Sequence, residues 1–163
     1  MKNTFILLIA IAMTSACDTK VVIDTSDQES ASNEDVFDAN LAKELNADQY
    51  GMRMYVMAFL KEGPNRDLDS AASADLQRQH LDNIKRLAEE GKLSLAGPFA
   101  ADGDPVRGIY IFNVTSLDEA RELTATDPAI QSDSLEMELR QWYGSAALQL
   151  TNQNHKKISR ENI

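Results

Sequence analysis

Cysteine is nearly missing from the chain of 163 residues: there is one, Cys17. No intramolecular disulfide can form, and no cysteine-rich metal site. Histidine is almost as scarce, with only His80 and His155. That excludes a zinc site built on several histidines. Basic residues are outnumbered, 16 against 26 acidic ones, and the formal charge is -10. Such a balance argues against sequence-independent nucleic-acid binding, which needs a basic footprint. It also argues against docking on anionic lipid by charge alone. No apolar run is long enough to span a bilayer, which takes about 20 residues. Apolar residues still make up 43% and charged residues 26% of the chain, the balance of a globular protein. The length allows one ordinary domain plus tails.

The chain opens with Met1 and Lys2, then an apolar stretch from Phe5 to Met13. Thr14, Ser15 and Ala16 are small, and Cys17 follows. Basic start, short apolar stretch and small residues are the marks of a secretory signal. The arrangement resembles a bacterial lipobox, in which the chain is cut before the cysteine and the thiol carries a diacylglycerol. Ser15 and Ala16 fit the pattern, and Thr14 stands where leucine is preferred. The alternative is an ordinary signal cut near Ala16. The only cysteine stands where the lipid would go, so the expectation is a signal peptide over 1–16 and a lipid attached at Cys17. Burying acyl chains contributes about 0.8 kcal/mol per CH₂, enough for stable anchoring with several chains. The implied location is the bacterial cell envelope. Asp18 resembles an inner-membrane retention signal of some bacteria, and the choice between inner and outer membrane stays open.

From Asp18 to Asp48 there are nine acids against two bases, Lys20 and Lys43. Ser, Asp, Glu and Asn dominate residues 24–35, with little to bury. Residues 17–50 therefore read as an acidic, solvated tether. Val36, Leu41 and Leu45 hint at a short helix near its end.

The ordered domain is expected over 51–147. Arg53–Leu60 is dense in β-formers and apolar on both faces, a strand. Lys61–Asp69 is a loop marked by Gly63-Pro64-Asn65. Ser70 or Ser73 would cap a helix that ends at Gly91. Leu76, His80, Ile84 and Leu87 form its apolar stripe. Lys92–Phe99 and Arg107–Val114 read as strands, joined by a turn at Ala101–Pro105. Ser116 caps a shorter helix to about Thr126, which Pro128 ends. Ser134–Trp142 alternates as a half-exposed strand. Residues 148–163 form a polar tail with a basic end, expected to be loose.

The order β-α-β-β-α-β gives an α+β, ferredoxin-like sandwich, with helices on one face of an antiparallel sheet. The first and third strands are apolar on both faces. A second copy of the sheet is the most economical cover, which makes the expected partner an identical chain and the assembly a homodimer. Val56 is read as lying on that free face.

Lys61-Glu-Gly-Pro-Asn-Arg66, Gln79-His80-Leu81, Glu89-Glu-Gly-Lys-Leu93, Ala96-Gly-Pro-Phe99 and Asp127-Pro128 occur in an order that resembles the YciI-like (YCII-related) family, within the dimeric α+β barrel group. The resemblance covers about Arg53 to Gly144. It implies a ferredoxin-like fold paired through its sheets and an active-site histidine near an aspartate, here His80 and Asp127. A relative in the group resembles a dehydrochlorinase of chlorinated hydroxyquinols. The wider group includes muconolactone isomerases and monooxygenases.

Each candidate has a plainer reading beside it. His80 lies on an apolar stripe, where a hydrogen-bonded core histidine also fits. Histidine titrates near pH 6.5, which suits a general acid or base. Asp before Pro commonly makes a turn; it can also fix a histidine's tautomer. Gly97 and Pro98 either end a strand or wall a substrate pocket. Arg66 is a solvated loop residue or meets an anionic substrate. Trp142 and Tyr143 read as packing rather than stacking platforms. Asn113-Val-Thr115 fits a glycosylation pattern, discounted for a bacterial chain. No phosphate-binding glycine loop, nucleophile elbow or dinucleotide fingerprint occurs, so no cofactor and no metal are expected. Two functions stand: an envelope lyase, isomerase or hydrolase using His80 and Asp127 on a small organic substrate, or a non-catalytic ligand-binding or assembly module.

Overall fold

The computed structural model describes residues 37–100 and 103–161. The expected signal segment over 1–16 and Cys17 lie outside the described residues. The elements are α1 (Ala39–Glu44), β1 (Met52–Glu62), α2 (Ser70–Glu89), β2 (Leu93–Pro98), β3 (Val106–Phe112), α3 (Leu117–Thr124), α4 (Pro128–Gln131), β4 (Leu135–Ser145), a 3₁₀ turn (Ala146–Leu150) and α5 (Thr151–Ile158). The four strands form one antiparallel sheet in the order β2-β3-β1-β4. This is the expected ferredoxin-like α+β arrangement.

Strand alternation decides which side chains meet the helices. Val56, Ala58 and Leu60 of β1 share a face with Tyr110 and Phe112 of β3. These five join Leu87 of α2 and Ala120 of α3 in one buried cluster. Val56 therefore belongs to the core, not to the free face as the sequence reading had it. Tyr55, Met57 and Phe59 occupy the opposite face.

That second face is partly covered by the chain itself. The Tyr55 hydroxyl donates to the carbonyl of Ser145 at 2.9 Å, and Arg53 Nη1 donates to Gln149 Oε1 at 2.7 Å. Asn152 of α5 donates to the Leu93 carbonyl. The tail is thus helical and attached, which corrects the expectation of a loose end. Its composition concealed this, because α5 buries no residue and gains nothing from an apolar stripe. Tyr55 and Ile111 are sealed, while Met57, Phe59, Leu95 and Ile109 stay half-buried. Arg140 lies over the Phe59 ring at 5.3 Å, and Lys61 pairs with Glu138.

The folded unit also starts earlier than Gly51. It spans Phe37–Ile163. Asp38 caps α1, accepting from Asn40 and Leu41 N–H. The Tyr143 hydroxyl donates to Asp48, holding that carboxyl below the usual range and raising the phenol. Part of the acidic stretch is therefore folded.

Two helix starts differ from expectation. Asp69, not Ser70 or Ser73, caps α2, accepting from Ala72 N–H at 2.9 Å. Pro128 does not merely end α3; it opens α4, where its missing N–H costs nothing. Ser116 caps α3 as expected, and Gly91 closes α2 with φ +71. No helix among the described residues is long and apolar enough to cross a membrane.

Candidate functional site

His80 sits midway along α2, on the side that packs against the sheet and α4. Asp127 is the N-cap of α4 and is fully buried. Its Oδ1 accepts from Ala129 N–H at 2.9 Å. His80 Nδ1 lies 2.8 Å from Asp127 Oδ2 and 3.0 Å from Oδ1. The pair named from the sequence is therefore in direct contact.

The carboxylate can only accept, so Nδ1 carries the proton. In the neutral ring, Nε2 is then an acceptor. The Tyr110 hydroxyl stands 3.3 Å from it and donates to it. The two rings are stacked, with centroids 6.2 Å apart. Tyr110 was not singled out as a site residue. The signal was available: β3 alternation places a tyrosine beside Phe112 on the helix-facing side, and a buried phenol needs a partner. The histidine stripe of α2 packs on that side.

Burial pushes the Tyr110 phenol far above its ordinary value, and the Asp127 charge adds to this. A phenol whose folded pKa is raised contributes stability that is full below about pH 10 and lost as pH rises above it. The chain has four tyrosines. An ultraviolet titration should show the Tyr110 phenol ionising only together with unfolding. If Tyr110→Phe removes a phenol that ionises while the protein is still folded, this burial is contradicted.

His80 is 8% exposed, and what it exposes faces a cleft of about 310 Å³. The cleft opens between the loop after β1, the first turns of α2 and the α4–β4 junction. Leu68, Leu76, Ala129 and Leu135 make its apolar wall; Arg66, Gln77 and Ser134 supply polar groups. Arg66 thus lines the cleft, as expected of a pocket residue. Most of its guanidinium is committed, however. Nε donates to the Asn65 carbonyl at 3.0 Å, Nη2 donates to the Ser134 carbonyl, and Nη1 lies 3.5 Å from Glu62. It straps the loop to the residue just before β4.

Gly97 and Pro98 are placed elsewhere. They pair with Ile109 and Gly108 in β2–β3 and do not line this cleft. They run close against β3: a Cβ on Gly108 would stand 2.6 Å from the Gly97 carbonyl oxygen, so the steric demand falls on Gly108. A second buried polar residue was not anticipated. Asn83, one turn beyond His80, accepts from Arg86 at 2.7 Å and from Thr126 at 3.1 Å, steadying the turn before Asp127. Among the described residues no cluster of three or more His, Cys, Asp or Glu could hold a metal ion.

The arrangement can move a proton at His80 or hold a polar ligand against it. A family model for the YCII-related domain matches residues 54–143, more than half of the chain and all of the elements that carry the pair. The chain belongs to the YCII-related domain family. A relative, the "Uncharacterized protein YjpA" of Bacillus subtilis (strain 168), is 35% identical over 63 residues. The match covers 39% of this chain and 71% of the relative. In this YCII-related domain the matched span ends before the 3₁₀ turn and α5, the segment that partly covers the second sheet face.

Proposed function

We propose that this YCII-related domain protein binds a small organic substrate in the His80 cleft and uses His80, oriented by Asp127, as general base and acid in a lyase, isomerase or hydrolase reaction. The observation that carries the reading is the chain Tyr110–His80–Asp127 at 3.3 and 2.8 Å, ending at an open cleft. Asp127 fixes the ring and offsets the charge that the imidazolium gains. Nε2 is the reactive nitrogen. Tyr110 holds it in the resting state and yields it as substrate enters. The alternative, a non-catalytic ligand-binding module, draws on the same Tyr110 contact, since both ring nitrogens are engaged without ligand. A thermal-shift screen against small organic acids and phenols tests the reading. A compound that stabilises the wild type and not His80→Gln is expected. Equal stabilisation of both would remove His80 from binding.

The reading includes the envelope. Cys17 follows Thr14-Ser15-Ala16 and is the only cysteine. Cys17→Ser should release the protein from membranes and abolish labelling by a fatty-acid analogue. Retention of the variant at unchanged mass contradicts a lipid anchor.

It also includes a homodimer through the second sheet face. Met57, Phe59, Leu95 and Ile109 are only half-buried there, rimmed by Lys61, Glu138 and Arg140. Phe59→Glu should leave the monomer folded and halve the mass measured by light scattering. Val56→Glu should instead unfold the chain, because Val56 is wholly inside the core. An unchanged dimer in Phe59→Glu would move the interface elsewhere.

A further inference from the structure

A second cleft, of about 320 Å³, lies away from His80, between the end of α2, the start of β2 and α5. Its wall contains an irregularity of the sheet. Leu93 pairs with Phe112 and Leu95 with Ile111, so Ser94 is the extra residue of a β-bulge. Bulges commonly re-aim a side chain, and they concentrate beside binding sites. Ser94 is 3% exposed, and its hydroxyl has no hydrogen-bond partner among the described residues. Asn113, at the end of β3, shows the same deficit. Its Nδ2 donates to the Gly91 carbonyl at 3.0 Å, while Oδ1 has no partner.

Buried polar atoms without partners are costly and uncommon. Three such side-chain atoms occur among the described residues, and two of them, Ser94 Oγ and Asn113 Oδ1, belong to residues lining this one cleft. The rest of the lining gives the site a chemistry. Lys156 on α5 supplies a cation that has no ion pair among the described residues, and Glu89 adds a carboxylate to the lining. No aromatic side chain lines the cleft. The covering helix can yield: α5 buries no residue, has no side-chain N-cap, and is tied to β2 by the Asn152 bond to Leu93.

We propose that this cleft is a second ligand site, for a small polar carboxylate that also carries hydroxyl or amine donors, the class of α-hydroxy and α-amino acids. The carboxylate meets Lys156 and the Ser94 hydroxyl. The donors meet Asn113 Oδ1 and Glu89. A slight outward movement of α5 admits the ligand and supplies both orphan atoms with partners. The site is independent of His80 and of any reaction there.

The test is an NMR titration of the full chain in detergent with glycerate, serine, acetate and glycerol as separate probes. Glycerate or serine should shift the amides of Ser94, Asn113 and Lys156, and the stronger of the two tells hydroxy acid from amino acid. Acetate lacks the donors and glycerol lacks the anion, so both should bind at least tenfold more weakly. Lys156→Ala and Ser94→Ala should each weaken the best probe at least fivefold, and His80→Gln should leave it unchanged. Ser94→Ala removes an unsatisfied buried hydroxyl, so it should raise the thermal midpoint of the ligand-free protein. Acetate binding as well as glycerate and serine means an adventitious anion only, and overturns the proposal. So does the absence of any shift at these residues with glycerate and serine, or a Ser94→Ala variant that melts lower.

Discussion

His80→Leu should cost the folded protein about 3 kcal/mol, because it strands a carboxylate in the interior. Asp127 has no exposure, and with His80 gone the Ala129 N–H and the nearby Tyr110 phenol are what remain to it. The usual expectation for a catalytic histidine at an open surface is a small loss. At 8% exposure His80 is not such a residue, so even His80→Gln should lower the thermal midpoint measurably. Asp127→Ala should cost more than Asp127→Asn, since alanine also removes the cap of α4, worth about 1 kcal/mol. Asp127→Asn has a distinct signature. An amide placed where Oδ2 now stands donates to Nδ1. The ring then carries its proton on Nε2 and donates to the Tyr110 oxygen. Nitrogen-15 NMR of the imidazole should report this exchange of tautomers. Denaturant melts of the four variants give the stability order. An His80→Leu protein as stable as wild type would show that the buried pair is not formed.

Gly63→Ala should be about as damaging, through a different cause. Gly63 is where β1 turns into the loop that walls the cleft. A Cβ there would stand 2.2 Å from the Asp133 carbonyl oxygen, which is backbone and cannot swing away. The same close approach lets Gly63 N–H donate to the Ser134 carbonyl and Asn65 N–H donate to the Asp133 carbonyl, both at 3.0 Å. Asn65 Nδ2 adds a bond to the Ser132 carbonyl at 2.9 Å. Forcing a methyl into this clasp costs about 3 kcal/mol and pushes the loop off the start of β4. Any ligand of the His80 cleft should be lost with it. Gly97→Ala is the control. A Cβ there meets nothing within 4 Å, so stability and the cleft should both be kept. Equal behaviour of the two variants would contradict the clasp.

The strands were legible as short runs of β-formers bounded by turn residues, α2 by its 3.6-residue apolar stripe, and α3 by its Ser116 cap and the following Pro128. Which strand face met the helices was not legible. Tyr55, Met57 and Phe59 are as apolar as Val56, Ala58 and Leu60, and only the covering segment after Ser145 breaks the tie. That segment hid itself, because α5 is held by polar bonds rather than by a stripe. The His80–Asp127 pair was reached through family motifs; composition alone could not join residues on separate helices. Tyr110 escaped because a tyrosine in an apolar strand looks like core until its hydroxyl must be satisfied. Gly97 and Pro98 were assigned to the pocket by their place at a strand end, yet that end pairs with β3, away from the His80 cleft. Arg66 does line the His80 cleft, with Nε and Nη2 donating to backbone carbonyls.

The account rests on Nε2 of His80 being the atom that a ligand reaches while Asp127 keeps hold of Nδ1. The most direct measurement follows both ring nitrogens of His80 by nitrogen-15 NMR as the best compound of the thermal-shift screen is added. The Nε2 resonance should move as the Tyr110 bond gives way to the ligand, with Nδ1 still protonated and bonded to Asp127. A ligand that saturates the protein and leaves the Nε2 resonance where it was would contradict the account.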